Sequence, residues 1–209
     1  MAKTAIAAFV IYIALAFGLR SIVQWRRTGA TGFKGISGEF GSLEWVGGAM
    51  FMVAFFLAPV AALLDGAEVL GPVSVLSAPL ISVIAIALYG VGLAGTLAAQ
   101  FWMGDSWRIG VDSSERTTLV TSGPFAHVRN PIFTALLTAA AGMALMVPNE
   151  VALVAFAAMF AAIEIQVRAV EEPYLLRTQG TAYAAYARRV GRFVPGLGTI
   201  EGAETKGGS

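Results

Sequence analysis

The sequence lacks cysteine and has a single histidine, His127, in 209 residues. Without cysteine the chain has no disulfide and no thiolate that could act as a nucleophile or a metal ligand. A single histidine excludes a site in which several imidazoles share a metal ion. We therefore predict an activity that needs neither covalent thiol chemistry nor a bound metal.

Charge is scarce as well. Only 13% of the residues are charged, whereas about 25% is usual for a soluble domain. In contrast, 57% are hydrophobic, and the mean hydropathy is +0.73. The net charge is +1, without the basic stripe that a nucleic-acid partner would require. The composition indicates a protein whose solvent is a lipid bilayer.

The apolar residues form five runs that approach the roughly 20 residues needed to cross a bilayer. These runs cover residues 5–23, 43–64, 79–102, 131–147 and 151–167. Only Pro148, Asn149 and Glu150 separate the last two, which predicts a tight helical hairpin. Small residues such as Gly92 are interpreted as positions of close helix packing. We predict an all-α bundle of about five transmembrane helices.

The basic residues fall on one side of this map. Thirteen of the fourteen lie in the first loop, in the third loop or after the fifth run, and the exception is Lys3. The thirteen are Arg20, Arg26, Arg27, Lys34, Arg108, Arg116, Arg129, Arg168, Arg177, Arg188, Arg189, Arg192 and Lys206. By the positive-inside rule we predict a cytoplasmic (inner) membrane protein with its N-terminus outside and its active site cytoplasmic.

Two polar regions lie on that side, residues 103–130 and residues 168–195. The second repeats apolar residues at spacings of three and four, which predicts an amphipathic helix, broken near Gly180. We expect one membrane domain over residues 1–195, with a three-helix part (1–102) and a catalytic part (103–195). The Gly-rich segment 196–209 is predicted to be a flexible tail.

The first candidate site begins at Arg129-Asn130-Pro131. Pro131 is typical of the first position of a helix. The start of the fourth helix would then attract a carboxylate or phosphate, and Arg129 would add a bidentate partner. In the alternative, Arg129 reaches lipid phosphate and Asn130 caps the helix. For the nearby His127, a solvated loop position is more typical than a general base.

A second candidate is the acidic pair Glu171-Glu172, just after the fifth run. Two adjacent acids near a negative membrane surface indicate that they bind a cation or pair with arginine. Arg168 lies three and four residues earlier, on the same helical face. We expect it to pair with one of these two acids or with Glu164. A structural ladder of ion pairs is the alternative. Tyr183 and Tyr186 also share a helical face, as interfacial anchors commonly do.

In order and spacing, these residues resemble the isoprenylcysteine carboxyl methyltransferase and phospholipid methyltransferase superfamily of membrane enzymes. The resemblance covers residues 104–195, and its elements are Gly123-Pro124, Arg129-Asn130-Pro131, Glu171-Glu172, Gly180-Thr181-Ala182-Tyr183-Ala184-Ala185-Tyr186, Arg192 and Pro195. There are two departures. Asn130 stands where many members have histidine, and Phe133 stands where tyrosine is common.

The resemblance implies methyl transfer from S-adenosylmethionine to a lipophilic small molecule, a lipid or a lipidated acceptor in the membrane. It implies catalytic roles for Arg129, Glu172 and Arg168. The cofactor contacts that it implies are His127, Arg129, Asn130, Pro131, Glu171, Glu172, Tyr183 and Tyr186. Direct methyl transfer requires alignment of the reactants rather than a covalent enzyme intermediate.

Two other interpretations stay open at this point. Membrane sterol reductases have a related C-terminal half and use a nicotinamide dinucleotide such as NADPH, although they normally have more than five helices. A non-catalytic membrane protein, such as an assembly factor or a channel subunit, would use the same charged residues structurally. A channel would need more polar residues in its second and third helices than this sequence has.

Overall fold

The computed structural model describes residues 1–32, 35–36, 38–107 and 119–200, with Asp105 described for its backbone only. Four of the basic residues counted above, Lys34, Arg108, Arg116 and Lys206, lie outside the described residues, as does the segment 201–209 of the predicted tail.

The described part is a helical bundle without a β-strand, which confirms the all-α prediction. Its helices are α1 (Ala2–Thr28), α2 (Leu43–Gly66), α3 (Pro79–Met103), α4 (Pro131–Met146), α5 (Glu150–Ile165) and α6 (Glu172–Arg189). A π-helical turn, Gln166–Glu171, joins α5 to α6. Within the described residues, four helical stretches are long and apolar enough to cross a membrane: α1, α2, α3 and the continuous stretch Glu150–Arg189. With its 16 residues, α4 spans only about 24 Å.

The predicted hairpin is formed by α4 and α5. Asn149 caps α5 by accepting a hydrogen bond from the Ala152 amide at 3.0 Å. Its side-chain amide donates to the Ala61 carbonyl of α2 at 2.9 Å, and the residue is fully buried. The turn therefore fixes the hairpin to α2 as well as reversing the chain.

α3 packs closely along α4 because both helices place glycine at the contact. A Cβ on Gly92 would overlap the backbone of Ala139, and one on Gly142 would lie 2.5 Å from the Tyr89 amide nitrogen. The close-packing role predicted for Gly92 is confirmed. Its counterpart on α4, Gly142, was not predicted.

Polar side chains join α1 to α3. The Tyr12 hydroxyl and the Thr96 hydroxyl lie 3.0 Å apart. The Tyr89 hydroxyl donates to the Ala8 carbonyl at 2.7 Å, and the Gln100 amide donates to the Ala16 carbonyl at 3.0 Å. Such bonds satisfy polar groups at depths where a bilayer supplies no water.

α6 contains the break that the sequence predicted. Gly180 has a φ of 52° and a ψ of −126° inside the helix, a conformation that glycine adopts without steric penalty.

At one end of the bundle, α1 and α3 terminate, α4 begins and α5 passes into α6. This end carries Arg20, Arg129 and Arg168. We call it the basic end.

Candidate functional site

The site is built around the start of α4 at the basic end. A 3₁₀ turn, Gly123–Ala126, precedes the helix, and Pro131 occupies its first turn as predicted. The Phe125 carbonyl of that turn accepts a hydrogen bond from the Tyr186 hydroxyl at 2.5 Å. The turn before α4 is thereby joined to the second half of α6.

After α6 the chain returns and lies along the start of α4. We call residues 190–200 the strap. The Arg129 amide donates to the Gly191 carbonyl at 2.8 Å, and the Asn130 amide donates to the Arg192 carbonyl at 3.1 Å. One turn into α4, the Thr134 hydroxyl donates to a further strap carbonyl at 2.9 Å. The backbone of the strap thus covers the N-terminus of α4.

The strap then turns and returns to α6. The Arg192 amide donates to the Leu197 carbonyl at 2.8 Å, and the Ile200 amide donates to the Ala187 carbonyl at 3.1 Å. The tail was predicted to begin at Gly196. Residues 196–200 are instead hydrogen-bonded into the site, because the Gly-rich turns direct the chain back onto α6.

Arg129 has its guanidinium at the centre of these segments, with a side chain only 1% exposed. It donates to the carbonyls of Ala187 and Gly198 at 3.1 and 2.9 Å, and also to the Val190 carbonyl. A fourth hydrogen bond, of 2.6 Å, reaches a carboxylate oxygen of Glu172. Among the three nitrogens of the Arg129 guanidinium, Nε is the one buried without a hydrogen-bond partner. The side chain therefore joins α4, α6 and the strap.

Glu172 bridges two arginines. Arg192 contacts both of its carboxylate oxygens at 2.8 Å, and the 2.6 Å bond from Arg129 shares one of them. The Glu172 side chain is 8% exposed. Hydrogen bonding to this carboxylate raises the pKa of the Arg192 guanidinium against the opposing effect of burial. One negative charge thus holds two positive charges at fixed positions.

Asn130 does not cap α4. Its side chain makes no capping hydrogen bond and donates instead to the Arg192 carbonyl at 3.2 Å. The capping interpretation of Asn130 is therefore wrong. The strap offers this side chain an acceptor that only the tertiary structure supplies.

Arg168 lies outside this network. Of the partners that the sequence left open, it pairs with Glu164, four residues earlier, and its side chain is 59% exposed. Glu172 pairs with Arg129 and Arg192 instead. The functional role predicted for Arg168 has no support in these contacts.

The tyrosines form a small second core. Tyr183 and Tyr186 are both buried, with ring centroids 6.1 Å apart in an edge-on arrangement. They pack with Ala187 and with partly buried Leu119, Leu175, Leu176, Val190 and Ile200. The interpretation of the pair as interfacial anchors is wrong, because both rings are buried among apolar side chains, to which the strap contributes Val190 and Ile200.

The candidate residues therefore fall into two groups. Arg129, Pro131, Glu172, Tyr183 and Tyr186 are buried and form a frame. His127 is exposed, while Asn130 and Glu171 are half-buried, and we call these three residues the rim.

The strap carbonyls that Arg129 binds and the pairing of Arg192 with Glu172 were not predicted from the sequence. Pro195, Gly196 and Gly198 were the available signal, since such residues mark turns. They predict that the chain reverses there. They do not predict which carbonyls reach Arg129.

Comparisons with known proteins found one family model and a similar fold. Residues 80–182 match the family model described as phospholipid methyltransferase. That range runs from α3 into α6 and includes Arg129, Glu171 and Glu172. A search of the curated proteins found no match. Among solved structures, the fold is similar to that of the eukaryotic intramembrane Ras methyltransferase isoprenylcysteine carboxyl methyltransferase, with a TM-score of 0.57 and 16% sequence identity. The match covers 94% of this chain and 69% of that one.

The family match covers α4, α5 and α6 as far as residue 182, and the fold match extends over nearly the whole chain. The motif elements from Gly123 to Pro195 follow in the order of the same superfamily. Together, the family match and the fold match support the assignment of this chain to the isoprenylcysteine carboxyl methyltransferase and phospholipid methyltransferase superfamily of integral membrane methyltransferases.

Proposed function

We propose that this membrane methyltransferase uses S-adenosylmethionine to methylate a lipophilic or membrane-associated acceptor at the basic end of the bundle. The observation that carries the proposal is the buried Arg129–Glu172–Arg192 network, which fixes the start of α4 against α6 and the strap. The distribution of basic residues supports a cytoplasmic orientation of this end, in an inner membrane with the N-terminus outside.

The residues of the frame and of the rim suit different tasks. Arg129 already donates to four acceptors, and both carboxylate oxygens of Glu172 accept from arginine. Arg129 and Glu172 therefore suit a positioning role better than direct contact with a ligand. The rim supplies the groups that an amino acid with a ribose would bind: a carboxylate on Glu171, an amide on Asn130 and an imidazole on His127. The residues present therefore fit the cofactor.

S-adenosylmethionine, when bound, supplies a methyl group activated by a sulfonium. In our proposal Glu171 accepts hydrogen bonds from the ammonium or ribose hydroxyls. Asn130 and His127 orient the carboxylate end. Arg129 and Glu172 keep the backbone at Asn130 and Glu171 in place, so that the acceptor approaches a fixed methyl group. Tyr186 holds the turn before α4 through Phe125.

The acceptor belongs to the lipid phase. Large apolar side chains are exposed at the same end, among them Phe101, Trp102 and Leu197. An acceptor with an apolar chain would stay in the bilayer while its nucleophilic atom reaches the rim. This supports a lipid or a lipidated molecule as the substrate class.

Calorimetry on the detergent-purified chain tests the proposal. We expect saturable binding of S-adenosylmethionine and of its demethylated product. Glu171→Gln should weaken binding about tenfold or more, because a hydrogen bond to a charged group is worth roughly 1.5–3 kcal/mol. Arg177→Gln, an exposed arginine on α6, is the matched control and should bind normally.

The same samples test the alternatives. Binding of NADPH, with none of S-adenosylmethionine, would contradict the proposal and favour a reductase. A folded, monodisperse sample that binds neither would favour a structural role. With binding established, transfer of a labelled methyl group to a fractionated lipid extract would identify the acceptor.

A further inference from the structure

The tip of the strap carries apolar side chains that the protein leaves uncovered. Val194 and Leu197 flank its tight turn and are 51% and 66% exposed. The Leu197 amide donates to the Val194 carbonyl at 3.1 Å, which holds both residues at the tip. Pro195 and Gly196, between them, are exposed too. Val194 and Leu197 thus lie side by side outside both hydrophobic cores.

The position of the tip along the bundle follows from α4. The hydrogen bond from Thr134 to the Phe193 carbonyl places the strap level with the first turn of α4. α4 spans about 24 Å and the hydrocarbon layer is about 30 Å thick, so a bundle centred in the bilayer would place the start of α4 close to the hydrocarbon boundary. Phe193 packs against the main core of the bundle. The tip next to it therefore lies at the depth of the lipid interface.

A tryptophan marks the same level independently. Trp102, near the end of α3, donates to the Ser122 hydroxyl at 3.2 Å, next to the turn that precedes α4. Its ring is largely exposed, as is typical of residues at the boundary between hydrocarbon and headgroups.

Positive charge adjoins the tip. Arg188 and Arg189 are exposed in the last turn of α6, immediately before the strap. Cations beside an exposed apolar turn complement anionic headgroups above an acyl-chain layer. The exposed tip and the exposed Trp102 lie at the same end of a membrane-spanning bundle, and this favours the bilayer as the partner of the tip.

We propose that the strap tip, residues 194–197, inserts into the lipid leaflet at the basic end, with Arg188 and Arg189 binding anionic headgroups. The inserted tip holds the strap, and hence the carbonyls that Arg129 binds, at the membrane surface. This contact does not depend on the proposed activity and is tested without it.

Because the chain has no cysteine, a single Leu197→Cys substitution labels the tip with an environment-sensitive fluorophore such as NBD. The labelled full-length chain would be reconstituted in phosphatidylcholine vesicles with and without phosphatidylglycerol. We expect strong quenching by nitroxides on the lipid acyl chains, weak quenching by aqueous iodide and blue-shifted emission. Val53→Cys, exposed on the membrane-spanning α2, is the lipid reference.

Quenching by iodide in place of the lipid-bound nitroxides would overturn the insertion. Val194→Cys provides a second reporter on the same turn if the first variant folds poorly. Acyl-chain quenching should be stronger with phosphatidylglycerol, and Arg188→Gln combined with Arg189→Gln should remove that difference. Equal quenching in neutral and anionic vesicles would overturn the role of the two arginines.

Discussion

Among the described residues, two arginines are buried at the basic end, and the protein accommodates them in different ways. Arg20, on α1, lies against the rings of Trp107 and Phe101, at 4.5 and 5.6 Å from their centroids. It also donates to the Gly104 carbonyl at 2.6 Å. Arg129 instead donates to Glu172, which Arg192 holds from the other side.

The two environments connect different parts of the chain. Arg20 joins α1 to the end of α3 and extends the series of polar contacts between these two helices. Arg129 joins α4, α6 and the strap, which reach the same place from distant parts of the sequence. We infer that Arg20 serves the assembly of the bundle and Arg129 serves the geometry of the site. The two functions should be separable.

The largest effect is expected from Glu172→Ala, which leaves Arg129 and Arg192 buried without their carboxylate. Removal of one partner from a buried ion pair destabilises a protein by about 3–5 kcal/mol. The free energy of unfolding in detergent should fall by that order, and S-adenosylmethionine binding should be lost. Glu164→Ala removes an acid from the exposed pair with Arg168 and should lower stability by less than about 1 kcal/mol. Similar losses in both variants would contradict the distinction between frame and surface.

Arg20→Met should separate stability from binding. The change removes the contact with the aromatic rings and the hydrogen bond to Gly104, so we expect a loss on the order of 2–3 kcal/mol. Cofactor affinity of the folded fraction should stay unchanged, as measured by calorimetry below the melting temperature. Arg26→Met, at an exposed position of α1, is the control. If Arg20→Met lost as much cofactor affinity as Glu172→Ala, Arg20 and Arg129 would form one unit.

A smaller effect is expected from the hydrogen bond between α1 and α3. The Thr96 hydroxyl also donates to the Gly92 carbonyl at 2.9 Å, so Tyr12 is the donor to Thr96. Hydrogen bonds between membrane helices contribute about 0.6 kcal/mol on average. A double-mutant cycle of Tyr12→Phe and Thr96→Val should give a coupling of that size in unfolding measurements. Zero coupling would show that the contact adds nothing to the assembly of α1 and α3.

The smallest effect is expected from Asn130→His, which restores the residue common in the superfamily. An imidazole N–H can replace the side-chain amide as donor to the Arg192 carbonyl, so stability should change by less than about 0.5 kcal/mol. Thermal melting would measure the stability of the variant and titration its cofactor affinity, both on one preparation. A large loss of affinity with unchanged stability would show that the amide contacts the ligand in a way the imidazole does not.

Much of the fold was predictable because its signals are local. Apolar runs separate the membrane-spanning helices from the loops, since hydrocarbon excludes unsatisfied polar groups wherever they lie. The hairpin at Asn149 and the break at Gly180 follow from the conformations that turn residues and glycine permit. The short α4 was also visible in the sequence as a short run.

For the candidate site, the sequence indicated candidate residues but not their contacts. Arg129 and Glu172 stood out as charged residues at helix ends. The ion pair of Arg168 was left open among three acids, and the tyrosines were left open between a site role and interfacial anchors. The pairing of Glu172 with Arg192 and the burial of the tyrosines depend on where the strap returns, and no periodicity in the sequence indicates that.

The sequence by itself determined that this chain is a helical membrane protein, where its helices turn or break and which charged residues flank them. Those properties depend on the hydropathy and backbone preferences of neighbouring residues. Only the tertiary structure decided that Glu172 binds Arg129 and Arg192, that the strap covers the start of α4 and that Tyr183 and Tyr186 are buried. Ion pairs and burial depend on which helix ends meet in space, and that is fixed by the packing of the whole bundle.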